Sequence, residues 1–154
     1  MSTISSFVIT TSLLVMYAVH DIRTRKVPNL GFLIGGIAGL AVILRFGHIV
    51  DYALLHLTAV LVSLILGYTL FRIGAFGGAD VKTLITIAII SPGIEFSNWG
   101  NPILESIIAV GLQLMITLLF GYLISQRKTD EAKVIPLIPI LLGAYLVVQL
   151  LALF

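Results

Sequence analysis

The stretch YALLHLTAVLVSLILGYTLFRI, residues 52–73, carries one histidine and no charge before Arg72. A membrane span needs about 20 apolar residues, and this run supplies them as one helix from Tyr52 to Ile73. Five more apolar runs flank it: Ile4 to Val19, Leu30 to Phe46, Val81 to Ile90, Ile103 to Ile124 and Val134 to Phe154. Pro28-Asn29, Ser91-Pro92-Gly93 and Asn98-Trp99-Gly100-Asn101-Pro102 punctuate them. The pattern predicts an all-α polytopic membrane protein with about six transmembrane helices, residues 1–154 forming one membrane-embedded domain.

Composition agrees. The chain is 59% hydrophobic and 10% charged, with a mean hydropathy of +1.15; a soluble domain carries roughly 25% charged residues. A net charge of +2 gives no reason to expect a nucleic-acid partner. The absence of cysteine excludes disulfides, cysteine nucleophiles and thiolate metal sites. His20, His48 and His56 show no metal-ligand spacing with carboxylates, so neither a metal nor a cofactor is expected. The first apolar run lacks a basic start and a small-residue cleavage site, and reads as a retained helix.

Basic residues set an orientation. With the N-terminus outside, Arg23, Arg25, Lys26, Arg72, Lys82, Arg127, Lys128 and Lys133 fall on one side and only Arg45 on the other. The positive-inside rule makes the rich side cytoplasmic. Two aspartates share that side. Asp21 opens Asp21-Ile22-Arg23-Thr24-Arg25-Lys26-Val27-Pro28-Asn29, and Asp80 closes Gly77-Gly78-Ala79-Asp80 ahead of Val81-Lys82. A carboxyl at a membrane boundary is costly unless paired, hydrated or used. Alone, Asp21 reads as an interfacial residue and Asp80 as the N-cap of the fourth helix. Together they suggest an acid/base dyad. Two close carboxyls share one proton, so that the ionised one activates water and the protonated one polarises a carbonyl. The helix dipole favours Asp80 as the more ionised partner.

The surroundings add expectations. Val81 to Ile90 covers only about 15 Å at 1.5 Å per residue, which would sink Asp80 into a recess. Gly31, Gly35 and Gly39 recur every four residues and suit close packing within the chain. Gly77 and Gly78 allow close backbone approach beside Asp80, either for a tight turn or for an extended peptide. A phosphate-binding loop is disfavoured, because the lysine-serine/threonine ending is missing. Lys82 should point away from Asp80 and snorkel towards headgroups. Pro136 suits a first helical turn, and Pro139 should kink the last span. His56 reads as a packing or hydrogen-bonding residue.

These motifs resemble the type IV prepilin peptidases and archaeal preflagellin peptidases, polytopic aspartic proteases with a Gly-x-Gly-Asp motif. Asp21 to Asn29 matches the segment after their first aspartate. Gly77-Gly78-Ala79-Asp80-Val81-Lys82 matches the second motif except at Ala79, where bacterial members commonly carry glycine and archaeal ones resemble this chain. Pro136-Leu137-Ile138-Pro139 with Gly143 resembles their proline-containing last span. The resemblance implies that Asp21 and Asp80 are catalytic, and that Gly77, Gly78 and Lys82 are motif residues on the substrate side. It implies a membrane enzyme that cuts the short basic leader of a prepilin-like or archaeal filament subunit at the cytoplasmic face, where an apolar helix of the subunit follows the cut. Asp130 and Glu131 read first as residues of a solvated loop, and secondly as contacts for that leader. Larger bacterial relatives have a cysteine-bearing cytoplasmic insertion and methylate the new N-terminus. Here the first connection is short and cysteine is absent, so peptidase activity without methyl transfer is expected. Competing readings are a small transporter or proton-translocating protein, and a non-catalytic assembly subunit.

Overall fold

The computed structural model describes residues 2–94, 100–126 and 135–151. Its regular elements are seven helices: α1 (Ser2–Thr24), α2 (Asn29–Arg45), α3 (His48–Asp51), α4 (Ala53–Arg72), α5 (Gly78–Ile90), α6 (Pro102–Gln126) and α7 (Ile138–Leu151). Six follow the six apolar runs. The short α3 is additional, one turn between the left-handed Gly47 (φ 73°) and Tyr52. Helices α1, α4 and α6 are long and apolar enough to cross a membrane, while α2 and α7 are shorter apolar helices. The chain is an all-helical polytopic membrane protein. Of the loop from Gln126 to Lys133, only Gln126 is among the described residues; Asp130 and Glu131 lie outside them.

Helix α5 is the innermost. Seven of its 13 residues are buried, and it touches α1, α2, α4 and α7. Helices α4, α6, α7 and α1 pack on one another in sequence around it, and α2 closes against α1 and α5. Leu14, Leu84, Ile87, Val110, Leu141 and Tyr145 form the main core. In lipid the drive for this assembly is packing rather than water exclusion, so small residues matter at the contacts. A Cβ at Gly39 would strike the Ile90 side chain, and one at Gly35 would strike the Tyr17 hydroxyl. The glycine stripe therefore serves contacts within the chain.

Two boundary expectations are corrected. The first helix does not end with its apolar run at Val19: α1 continues to Thr24, placing Asp21 in its last turn, at the C-terminal end of the helix. No breaker occurs before Pro28, and the helix ends where Arg25 turns left-handed (φ 56°) and donates its N–H to Asp21 O at 2.9 Å. Pro139 does not kink a helix, because α7 begins only at Ile138. As second helical residue, Pro139 has no intrahelical partner to lose, and Pro136 precedes the helix.

Beyond α5 the chain stays buried without being helical, from Ser91 to Ile94. Backbone groups at such depth must find partners inside the protein, and side chains provide them. Glu105 Oε1 accepts the Ile94 N–H at 3.0 Å, and Gln149 Nε2 donates to Gly93 O at 3.0 Å. The Ser91 and Tyr145 hydroxyls pair at 2.9 Å, and the Ser6 hydroxyl donates to Ile90 O. Nearby, His48 Nδ1 and His56 Nε2 lie 2.9 Å apart, which bears out the hydrogen-bonding role expected of His56.

Neighbouring glycines of α2 give a test. Tyr17 is 1% exposed, its ring packed at a tilt against Phe32 with centroids 4.6 Å apart, and cannot yield cheaply to a Cβ at Gly35; a Cβ at Gly36 meets nothing within 4 Å among the described residues. Gly35→Ala should therefore destabilise the detergent-solubilised protein by about 1–3 kcal/mol, the usual cost of overpacking. Gly36→Ala should leave the melting temperature unchanged or slightly higher. Equal melting temperatures for the two variants would contradict this packing.

A candidate active site at one end of the bundle

Asp21 reaches the site from the last turn of α1 and Asp80 from the first turn of α5. Each is more than nine-tenths buried. Both line one cavity of about 530 Å³, walled by the 25–29 connection, the Gly77–Lys82 segment and the approach to α7 at Ile135 and Leu137. Helix packing thus closes a separation of 59 positions in sequence.

Local geometry explains the residue types. Asp80 is the third residue of α5 rather than its N-cap; Gly77 holds the cap position. The Gly77 N–H donates to Asp80 Oδ2 at 2.8 Å, so the carboxylate satisfies one orphan donor of its own helix. Gly77 has an ordinary φ of −82°, and its smallness serves close approach, since a Cβ would stand 3.1 Å from Asp80 Oδ2. Gly78 differs: a Cβ there would meet nothing within 4 Å. The space beside it belongs to the cavity. Lys82 does not turn away as expected. It lines the cavity and donates from Nζ to Asn29 Oδ1 at 2.5 Å, tying α5 to the start of α2.

Asp21 Oδ2 is buried and has no hydrogen-bond partner among the described residues. The backbone amide of Ile138, first residue of α7, approaches the same carboxyl. Sequence reasoning missed this neighbour, though the helix-initiating Pro136 and Pro139 were its signal. His20 is exposed and does not line the cavity. No group of three histidine or carboxylate side chains that could hold a metal exists among the described residues.

Asp80 lies ahead of the apolar run Val81 to Ile90 and faces the open cavity. Burial pushes its carboxyl up to about 6; the Gly77 N–H opposes this and the Asp21 charge adds to it. The helix dipole favours the ionised form of Asp80, and desolvation opposes it. Two carboxyls that feel each other's charge in one water-open cavity can hold a proton between them near neutral pH.

The family model described as "Type IV leader peptidase family" matches residues 8–153. No curated protein and no solved structure matches the chain significantly.

Removing one charge tests the contact. Because the Asp21 carboxylate raises the Asp80 titration, Asp21→Asn should move it to lower pH. Infrared difference spectra of the carboxyl band in isotope-labelled protein report this directly. An unchanged or higher Asp80 titration in that variant would show that the two groups are not in electrical contact.

Proposed function

The chain belongs to the type IV leader peptidase family, and from that membership we propose that it is an aspartic endopeptidase whose dyad is Asp21 and Asp80. Its substrates are prepilin-like or archaeal filament subunits, cut behind a short basic leader at the cytoplasmic face of the cell membrane. The observation that carries this reading is the pair of buried carboxyls on one cavity, with Asp21 Oδ2 lacking a partner among the described residues.

The chemistry follows from the pair. A water held between the carboxyls loses a proton to the ionised one as its oxygen attacks the scissile carbonyl. The protonated partner donates towards the carbonyl oxygen, giving a neutral tetrahedral diol. Its collapse breaks the C–N bond, the amine leaves with a proton from the dyad, and the shared proton is restored. The open space beside Gly78 suits an extended backbone at the reacting bond. Lys82 and Gly77 shape the wall without taking part in proton transfer.

Charge supports the side of action. Arg25, Lys26 and Lys82 line the aspartate cavity, with Arg23 and Arg72 in the last turns of α1 and α4, whereas Arg45 ends α2. The short connection between Thr24 and Asn29, and a sequence without cysteine, support peptidase action without methyl transfer. Transfer of a methyl group from S-adenosylmethionine to cut substrate by the purified protein would overturn that part. Transport is the weaker reading, because the carboxyls sit at helix ends and the core beyond them is filled by Leu14, Leu84 and Tyr145.

Co-expression with a leader-bearing filament subunit is the test. Wild type should shorten the substrate, and Asp21→Asn and Asp80→Asn should each cut at least about 100-fold more slowly at equal membrane abundance, the scale of a lost acid/base group. Undiminished cutting by either variant would remove the dyad.

A further inference from the structure

A second cavity lies outside the site. It is an apolar trough of about 260 Å³ between α6 and α7, with Ile116, Phe120 and Ile124 on one side and Ile140, Gly143 and Val147 on the other. The α6 residues recur every four positions and the α7 residues every three or four, so each set forms a ridge along its helix. A trough between two such ridges runs with the helix axes and has the shape that accepts a third helix.

Gly143 sharpens the point. Glycine inside a helix costs roughly 1 kcal/mol relative to alanine. Gly35 and Gly39 are explained by Tyr17 and Ile90, but a Cβ at Gly143 would meet nothing within 4 Å among the described residues. No described residue therefore fills the notch. Phe120 and Val147 beside it are 51% and 44% exposed.

The trough begins close to the aspartate site along α7. Leu137 lines the aspartate cavity and packs against Gly121 of α6, where a Cβ would lie 3.0 Å from it. Ile140 begins the trough one helical turn further along the same chain, and Val147 lies ten residues beyond Leu137, about 15 Å deeper at 1.5 Å per residue. A chain cut over Leu137 would thus deliver its next segment to the mouth of this trough.

We propose that the α6–α7 trough docks the apolar helix that follows the cut in the substrate, with Gly143 as the notch for its backbone. This rests on the leader-peptidase reading and adds where the uncut helix binds. Contact so far from the reacting bond supplies binding energy that positions the leader. The occupant is a lone apolar helix because every side chain at the trough is apolar and the site beside it takes an extended leader.

Two substrates separate this proposal from its premise: the full subunit, and a soluble leader peptide ending a few residues after the cut. Wild type should cut both, and failure on both would overturn the leader-peptidase reading itself. Gly143→Leu should raise KM for the full subunit at least about tenfold and leave the short peptide unchanged. Equal behaviour of wild type and Gly143→Leu on the full subunit would overturn the docking proposal alone. In case Gly143→Leu fails to fold, the naturally cysteine-free chain allows a second measurement. Val147→Cys in an Asp80→Asn background should cross-link to a cysteine in the substrate's helix, whereas Ile37→Cys on the exposed face of α2 should not. Cross-linking between two enzyme copies instead, or equal yield from both positions, would overturn the proposal.

Discussion

Helix α5 has 13 residues, about 20 Å at 1.5 Å per residue, among neighbours of up to 25. A helix that short cannot carry both its ends to water across a hydrocarbon layer of roughly 30 Å. Both consequences are visible. At one end the orphan N–H groups lie in a cavity, where Asp80 takes up that of Gly77. At the other end the carbonyls and the following backbone are met by Ser6, Glu105 and Gln149, drawn from three different helices. The site and its support are thus two solutions to one geometric deficit.

Much of this was legible in the sequence because it depended on local composition. Apolar run lengths located six helices, and the brevity of Val81 to Ile90 pointed to a recess at Asp80. What escaped depended on partners distant in the chain. Glu105 stands near the start of an apolar run with no sequence neighbour to pair it, yet it is buried, where its carboxylate accepts the Ile94 N–H. Lys82 read as a snorkelling side chain, yet Asn29 holds it, and no spacing rule relates positions 29 and 82. Pro139 read as a kink because the start of α7 was placed too early, and a helix start is set by capping and packing as much as by hydropathy. The first run was placed only as far as Val19 because the polar residues after it suggested water, although a helix can continue into water until a breaker stops it.

The two motif glycines beside Asp80 illustrate how one residue type serves different ends. Gly77 is small so that a carboxylate can reach its own N–H, while Gly78 is small with nothing of the protein nearby. Replacing the first would disturb the acid; replacing the second would fill the space beside it. A sequence motif records both as the same letter.

The approach to α7 has a consequence for biosynthesis. Ile135 and Leu137 line the aspartate cavity, and the Ile138 amide approaches Asp21. A ribosome that has released the chain as far as α6 has therefore made both aspartates and both glycines beside Asp80, but not the last wall. The newborn protein carries its acid pair through most of its insertion in an unfinished chamber. Closure by the final helix then sets the moment at which the site becomes complete.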